Sequence, residues 1–135
     1  MPTPLVVSEV AKSFTMHLRD GVRLAVVENV SFSLKAGECA VLGGPSGAGK
    51  SSILKMLYGN YPADEGQIIV DHGGRLIDLA RASPREVLAV RRDTIGYVSQ
   101  FLRTVPRVAA VDVVAEPLVA RGTDRATARE RAAAL

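Results

Sequence analysis

The 135-residue sequence predicts an α/β fold, and three observations carry that reading. Strand-like segments fill the first third, a glycine-rich loop lies between an apolar run and a helical one, and strand and helix signals alternate after it. A hydrophobic fraction of 47% with 23% charged residues is that of a globular chain, and the length suits one domain. No apolar run approaches the roughly 18 residues of a membrane span. The opening MPTPLVVSEV lacks the charged and apolar regions of a secretory signal, so direct membrane insertion is not expected. Cys39 stands alone, which allows no internal disulfide and fits a reducing, cytoplasmic compartment.

The first strands are Leu5–Val10, Val22–Val27 after a turn at Asp20-Gly21, and Val30–Leu34, where apolar and polar positions alternate. Cys39–Leu42 reads as a short strand buried on both faces, with Cys39 as packing. Ser51–Tyr58 has helical spacing and ends at Gly59-Asn60, with Pro62 just beyond. Gln67–Val70 and Arg75–Ile77 form a predicted hairpin around His72-Gly73-Gly74. Ser83-Pro84-Arg85-Glu86 is a capping box that predicts a helix through about Arg92. Ile95–Val98 reads as another strand. Val108–Ala120 reads as a helix that Pro117 should kink or end. Thr123 or Asp124 caps a last helix running to Leu135.

Charge is uneven: residues 1–74 carry a net −1 and residues 75–135 a net +4. The arginines are interleaved with acids, as at Arg85-Glu86 and Arg92-Asp93, and few aromatics lie among them. That pattern describes a solvated surface, and no nucleic-acid partner is expected. His17 and His72 are isolated and Cys39 is single, so no site made of protein ligands alone is expected for a metal.

Gly44-Pro45-Ser46-Gly47-Ala48-Gly49-Lys50-Ser51 satisfies G-x-x-x-x-G-K-[ST] between a predicted strand and a predicted helix. Phosphate chemistry requires these types. The glycines let the backbone curl around an anion, and the N–H groups of the helix start, continued by Ser52, point at it. Lys50 should reach the β- and γ-phosphates, and the Ser51 hydroxyl should ligate Mg²⁺. The expected ligand is a nucleotide with Mg²⁺.

Asn29–Glu38, Val41-Leu42-Gly43 and the loop together resemble the opening of ATP-binding cassette (ABC) ATPase domains, P-loop NTPases in which an antiparallel β-subdomain precedes the loop. Asp64-Glu65-Gly66-Gln67-Ile68 is similar to their D-x-G strand approach, and Val98-Ser99-Gln100 to their Q-loop. The resemblance implies ATP as the nucleotide, with Gln100 placing an amide oxygen near Mg²⁺ and the attacking water. Phe14 lies where the family commonly carries an aromatic that stacks on adenine; a core phenylalanine is the alternative.

A narrower resemblance runs along the whole chain. Ser99-Gln100-Phe101-Leu102-Arg103, Pro106-Arg107, Val113-Val114, Pro117-Leu118, His17, Gly21–Leu24, Ala36–Cys39 and Leu57–Tyr61 are similar to the ATP-binding L subunit of the bacterial phosphonate carbon–phosphorus lyase system. It implies partnership with other subunits of that complex and an ABC-type head-to-tail dimer. The alternatives are the ATP-binding subunit of a transporter of the lipoprotein-release or macrolide-export type, and a non-hydrolysing nucleotide-binding fragment. A P-loop kinase or GTPase fits the β-rich segment before the loop poorly.

Within the family pattern, residues 1–43 correspond to the β-subdomain and first core strand, 44–100 to the phosphate loop through the Q-loop, and 101–135 to the start of a helical subdomain. An L-S-G-G-Q-type signature, an apolar strand ending in Asp-Glu and a late histidine are not found. The expectation is therefore a truncated N-terminal part of the domain. Alone, it should bind ATP–Mg²⁺ weakly and hydrolyse it little, because turnover depends on positioning groups it lacks.

Overall fold

The computed structural model describes residues 3–16, 21–101 and 106–135. Four residues invoked above, His17, Asp20, Leu102 and Arg103, lie outside them. The chain forms two compact units, residues 1–90 and 91–135.

The first unit is built on strands β1 (Leu5–Met16), β2 (Val22–Leu34), β3 (Glu65–His72) and β4 (Arg75–Asp78), with helix α1 (Lys50–Leu57) and the first seven residues of helix α2 (Pro84–Asp93), whose last three belong to the second unit. The strands form one antiparallel sheet in the order β2-β1-β3-β4. Val7, Val10, Ile68, Val70 and Ile77 of the sheet are buried, as are Ile53 and Met56 of α1 and Val90 of α2.

β1 does not keep a strict alternation. Val7 and Val10 are both buried although three positions apart, because an extra residue at Ser8-Glu9 breaks the register against β2. Glu9 takes a positive φ of 51°, and its N–H donates to the Ser31 hydroxyl at 2.8 Å, so the bulge leaves no orphan donor there. Gly66 lies against this bulge at φ 81°, where a Cβ would collide with the carbonyl oxygens of Ser8 and Glu9. The glycine of the Asp64-Glu65-Gly66 segment is thus required by close backbone approach.

Two predicted strands, Val22–Val27 and Val30–Leu34, are one in the structure. The apparent break is a second bulge, with Asn29 at φ 48°. The hairpin turns at Gly73-Gly74, pairing His72 with Arg75. The capping box forms as its spacing requires: Ser83 N–H donates to Glu86 at 3.0 Å and Glu86 N–H to the Ser83 hydroxyl at 3.3 Å. Helix α1 closes with Gly59 N–H on Met56 O and Asn60 N–H on Lys55 O, both 2.9 Å.

Two expectations are corrected. Neither Cys39–Leu42 nor Ile95–Val98 is a strand, and Cys39 is exposed rather than packed. Val41 and Val98 are each 88% exposed. A strand covered on both faces exists through its ladder neighbours, and among the described residues every pairing is antiparallel and none involves these segments.

The second unit contains a helical hairpin, α3 (Ala110–Ala120) and α4 (Arg125–Ala133). Ala115, Ala128 and Ala132 form its buried seam with Val111, Leu118 and Val119 against them. Small side chains let the helices approach closely, and Asp112 receives Arg129 at 3.2 Å and Arg125 at 3.4 Å. Helix α3 continues through Pro117 to Ala120. Of the two candidate caps for α4, Asp124 serves, accepting from Thr127 N–H at 3.0 Å. Among the described residues, no helix is long and apolar enough to cross a membrane.

Candidate functional site: an anion cradle at the start of helix α1

The loop from Gly44 to Gly49 leads directly into α1, whose N-cap is Gly49 at φ 82°. No side chain caps this helix and no acidic residue lies in its first turn, which leaves N–H groups available at its positive end. Ser46, Gly47, Ala48, Gly49, Lys50, Ser51 and Ser52 line a cavity of about 300 Å³ with Val26 of β2. The lining residues offer an ammonium, three serine hydroxyls and backbone donors, and no carboxylate. Such a donor set fits a polyanion.

Gly44 and Pro45 have another part. Their carbonyl oxygens accept hydrogen bonds from Lys50 Nζ at 2.8 and 2.6 Å. The ammonium is therefore held within the loop by two backbone carbonyls.

Val26 was not marked as a site residue by the sequence, and its role comes from β2. Lys12 pairs with Val27 and Ser13 with Ala25, so Val26 is the extra residue of a bulge. Gly49 packs on it closely: a Cβ there would collide with Val26 O and lie 3.0 Å from Val27 Cγ2. The bulge turns β2 against the loop, and the loop glycine makes room for it.

Phe14 stands one strand away, on β1. It is 38% exposed, and its ring meets Tyr61 edge to face at 5.4 Å. Gln100 belongs to the second unit. It is exposed, in a short bend where Ser99 Oγ donates to Phe101 O at 2.7 Å. Among the described residues no group of three or more His, Cys, Asp or Glu is placed to hold a metal.

Asp64 is the other feature that local sequence did not reveal. Its carboxyl is held below the ordinary 3.8 chiefly by the Lys12 hydrogen bond, then by Ser13 N–H, against a smaller opposing effect of burial. A depressed folded pKa means that the contribution to stability is present above about pH 3.8 and is lost as pH falls through the lower folded value. Melting temperatures of the native protein and Asp64→Asn should therefore differ at neutral pH and converge below pH 3.8. A difference that stays constant down to pH 2 would contradict this assignment.

A glycine-rich loop entering a helix, with a lysine and a serine in the first turn and an antiparallel sheet in the same unit, is the arrangement of a nucleotide-phosphate-binding domain. The ABC transporter family model matches residues 27–135, and the chain belongs to that family. The chain is 34% identical over its whole length to the lipoprotein-releasing system ATP-binding protein LolD of Novosphingobium aromaticivorans, covering 58% of that protein. It is 36% identical over 83% of its length to the LolD of a Ruegeria species, covering 48%. The solved dimeric ATP-binding cassette MJ0796, in a post-hydrolysis state bound to ADP and Pi, is similar with a TM-score of 0.80. That match has 27% identity and covers 95% of this chain and 53% of that one. The chain thus spans about half the length of the curated relatives it matches. Their names concern lipoprotein release and not carbon–phosphorus lyase.

Proposed function

We propose that this chain forms the ATP-binding part of a lipoprotein-release-type ABC subunit, the alternative raised by the sequence. The carboxylate-free cavity around Ser46–Ser52, lined by Lys50 and three serines, is the observation that carries the ATP-binding part of this reading. Lipoprotein release rests on the LolD relatives, one of which matches along the whole chain. The resemblance to the carbon–phosphorus lyase subunit rests on sequence segments alone, and three of its residues, His17, Leu102 and Arg103, lie outside the described structure.

The residues divide the work by chemistry. Backbone N–H groups of Gly47–Lys50 and the α1 N-terminus hold the phosphates, Lys50 neutralises charge near the terminal ones, and Ser51 helps hold Mg²⁺. Gly44 and Pro45 park the lysine, Ala48 and Gly49 shape the loop, and Ser46 and Ser52 add hydroxyl donors at its two ends. Phe14 receives the base. Gln100 takes the Q-loop role that the family resemblance implies, placing an amide oxygen for Mg²⁺ and the attacking water. In the working protein two copies meet head to tail, and turnover drives a membrane-embedded partner.

Deletion of the gene in its host separates the two readings. Lipoproteins should accumulate unreleased in the membrane fraction, while growth on a phosphonate as sole phosphorus source is unchanged. Normal lipoprotein release with loss of growth on phosphonate would replace this function with the carbon–phosphorus lyase one.

A further inference from the structure

Lys12 is a charged side chain in the interior, only 9% exposed, and the phosphate cradle does not use it. Its Nζ lies 2.7 Å from Asp64 Oδ1. The other carboxylate oxygen accepts from Ser13 N–H at 2.8 Å, and Asp64 N–H donates to Ala11 O at 2.9 Å. Arg23 adds a looser contact at 3.7 Å. Residues 11–13 of β1 are thus stitched to Asp64 from both its backbone and its side chain. A buried ammonium is costly, and such anchoring offsets the cost without explaining why a cation is there.

The surroundings supply a reason. Lys12 Nζ lies 5.5 Å from the ring centre of Phe14 and 5.5 Å from that of Tyr61, while the rings meet at 89°. Both contacts are within cation–π range. Phe14 is therefore braced by a ring edge and by a fixed cation, yet keeps more than a third of its surface open. The brace lies one strand from the phosphate cavity, because Lys12 pairs with Val27, next to the cavity-lining Val26.

We propose that Tyr61 and Lys12 are positioning residues that hold the Phe14 ring for stacking on the nucleotide base, with Asp64 anchoring Lys12. The proposal rests on the reading that Phe14 receives the base. It assigns base affinity to a cluster separate from the one that binds phosphates. Neither Tyr61 nor Lys12 touches the nucleotide; each acts through Phe14.

The test compares Mg–ATP with inorganic tripolyphosphate, which has the phosphates but no base, on the full-length protein. Phe14→Ala should weaken ATP binding by about tenfold, the order of one base–aromatic stack, and leave tripolyphosphate unchanged. Unchanged ATP affinity in Phe14→Ala would remove the underlying reading. Where Phe14 matters, Tyr61→Leu and Lys12→Met should each weaken ATP by roughly half that free energy, about threefold, with tripolyphosphate unaffected. Tyr61→Phe, which keeps the ring edge, should restore ATP affinity. Tyr61 is only partly buried, so Tyr61→Leu tests the idea even if Lys12→Met fails to fold. Native ATP affinity in Tyr61→Leu, or equal loss of both ligands, would overturn the proposal.

Discussion

Lys50→Ala should weaken ATP–Mg²⁺ binding by about a hundredfold while leaving thermal stability nearly unchanged. The ammonium makes its two hydrogen bonds to exposed loop carbonyls, Gly44 O and Pro45 O, which water can satisfy once it is gone. Folding therefore loses little. Binding loses a charge-assisted contact to a polyanion in a cavity whose side chains carry no other positive charge. A loss of about 3 kcal/mol corresponds to that hundredfold. Calorimetric titration of ATP against the native protein and the variant measures it, with a thermal melt as the control. Equal ATP affinity in the two proteins would show that Lys50 is not at the phosphates.

Gly49→Ala should fail in the opposite order, with stability lost first and binding lost as its consequence. Gly49 is the N-cap of α1 at φ 82°, a conformation that costs other residues about 1 kcal/mol or more. The added methyl would also collide with Val26 O and press on Val27 Cγ2 at 3.0 Å. Val27 is buried, so β2 cannot yield without disturbing the core. Strain and overpacking together should cost roughly 3 kcal/mol, a fall of about 10 °C in melting temperature. A variant that melts with the native protein would mean that β2 is not seated on the loop.

The contrast between these neighbouring residues shows what local sequence can reveal. Lys50, Ser51 and the loop glycines were legible because their chemistry is carried by consecutive residues between a strand-like and a helical segment. The capping box at Ser83–Glu86 and the Asp124 cap were legible for the same reason. Bulges were not. Glu9, Val26 and Asn29 carry no strong local signal, yet they set which side chains of β1 and β2 face inward and bring Val26 to the cavity.

Apolar runs misled where structure depends on neighbours. Cys39–Leu42 and Ile95–Val98 have strand-like composition, but composition does not supply a ladder partner. The Lys12–Asp64 pair was hidden by a separation of 52 residues, because nothing near Lys12 indicates which acid it meets. Family membership was legible from Asn29–Gly43, the loop and Gln100. The narrower assignment to carbon–phosphorus lyase drew on scattered matches such as Tyr58 and Pro106, whose side chains have no chemistry particular to that system. The relatives favour the transporter alternative instead.

The central claim is that the segment from Ser46 to Ser52 binds the phosphates of ATP. Titrating the ¹⁵N-labelled full-length protein with Mg–ATP, and following each amide resonance, tests it at the atoms concerned. The N–H groups of Gly47 through Ser52 should show the largest shifts, saturating together, and the same titration of Lys50→Ala should leave them almost unmoved. Saturable ATP binding with these amides unperturbed, and the shifts gathered elsewhere, would contradict the account.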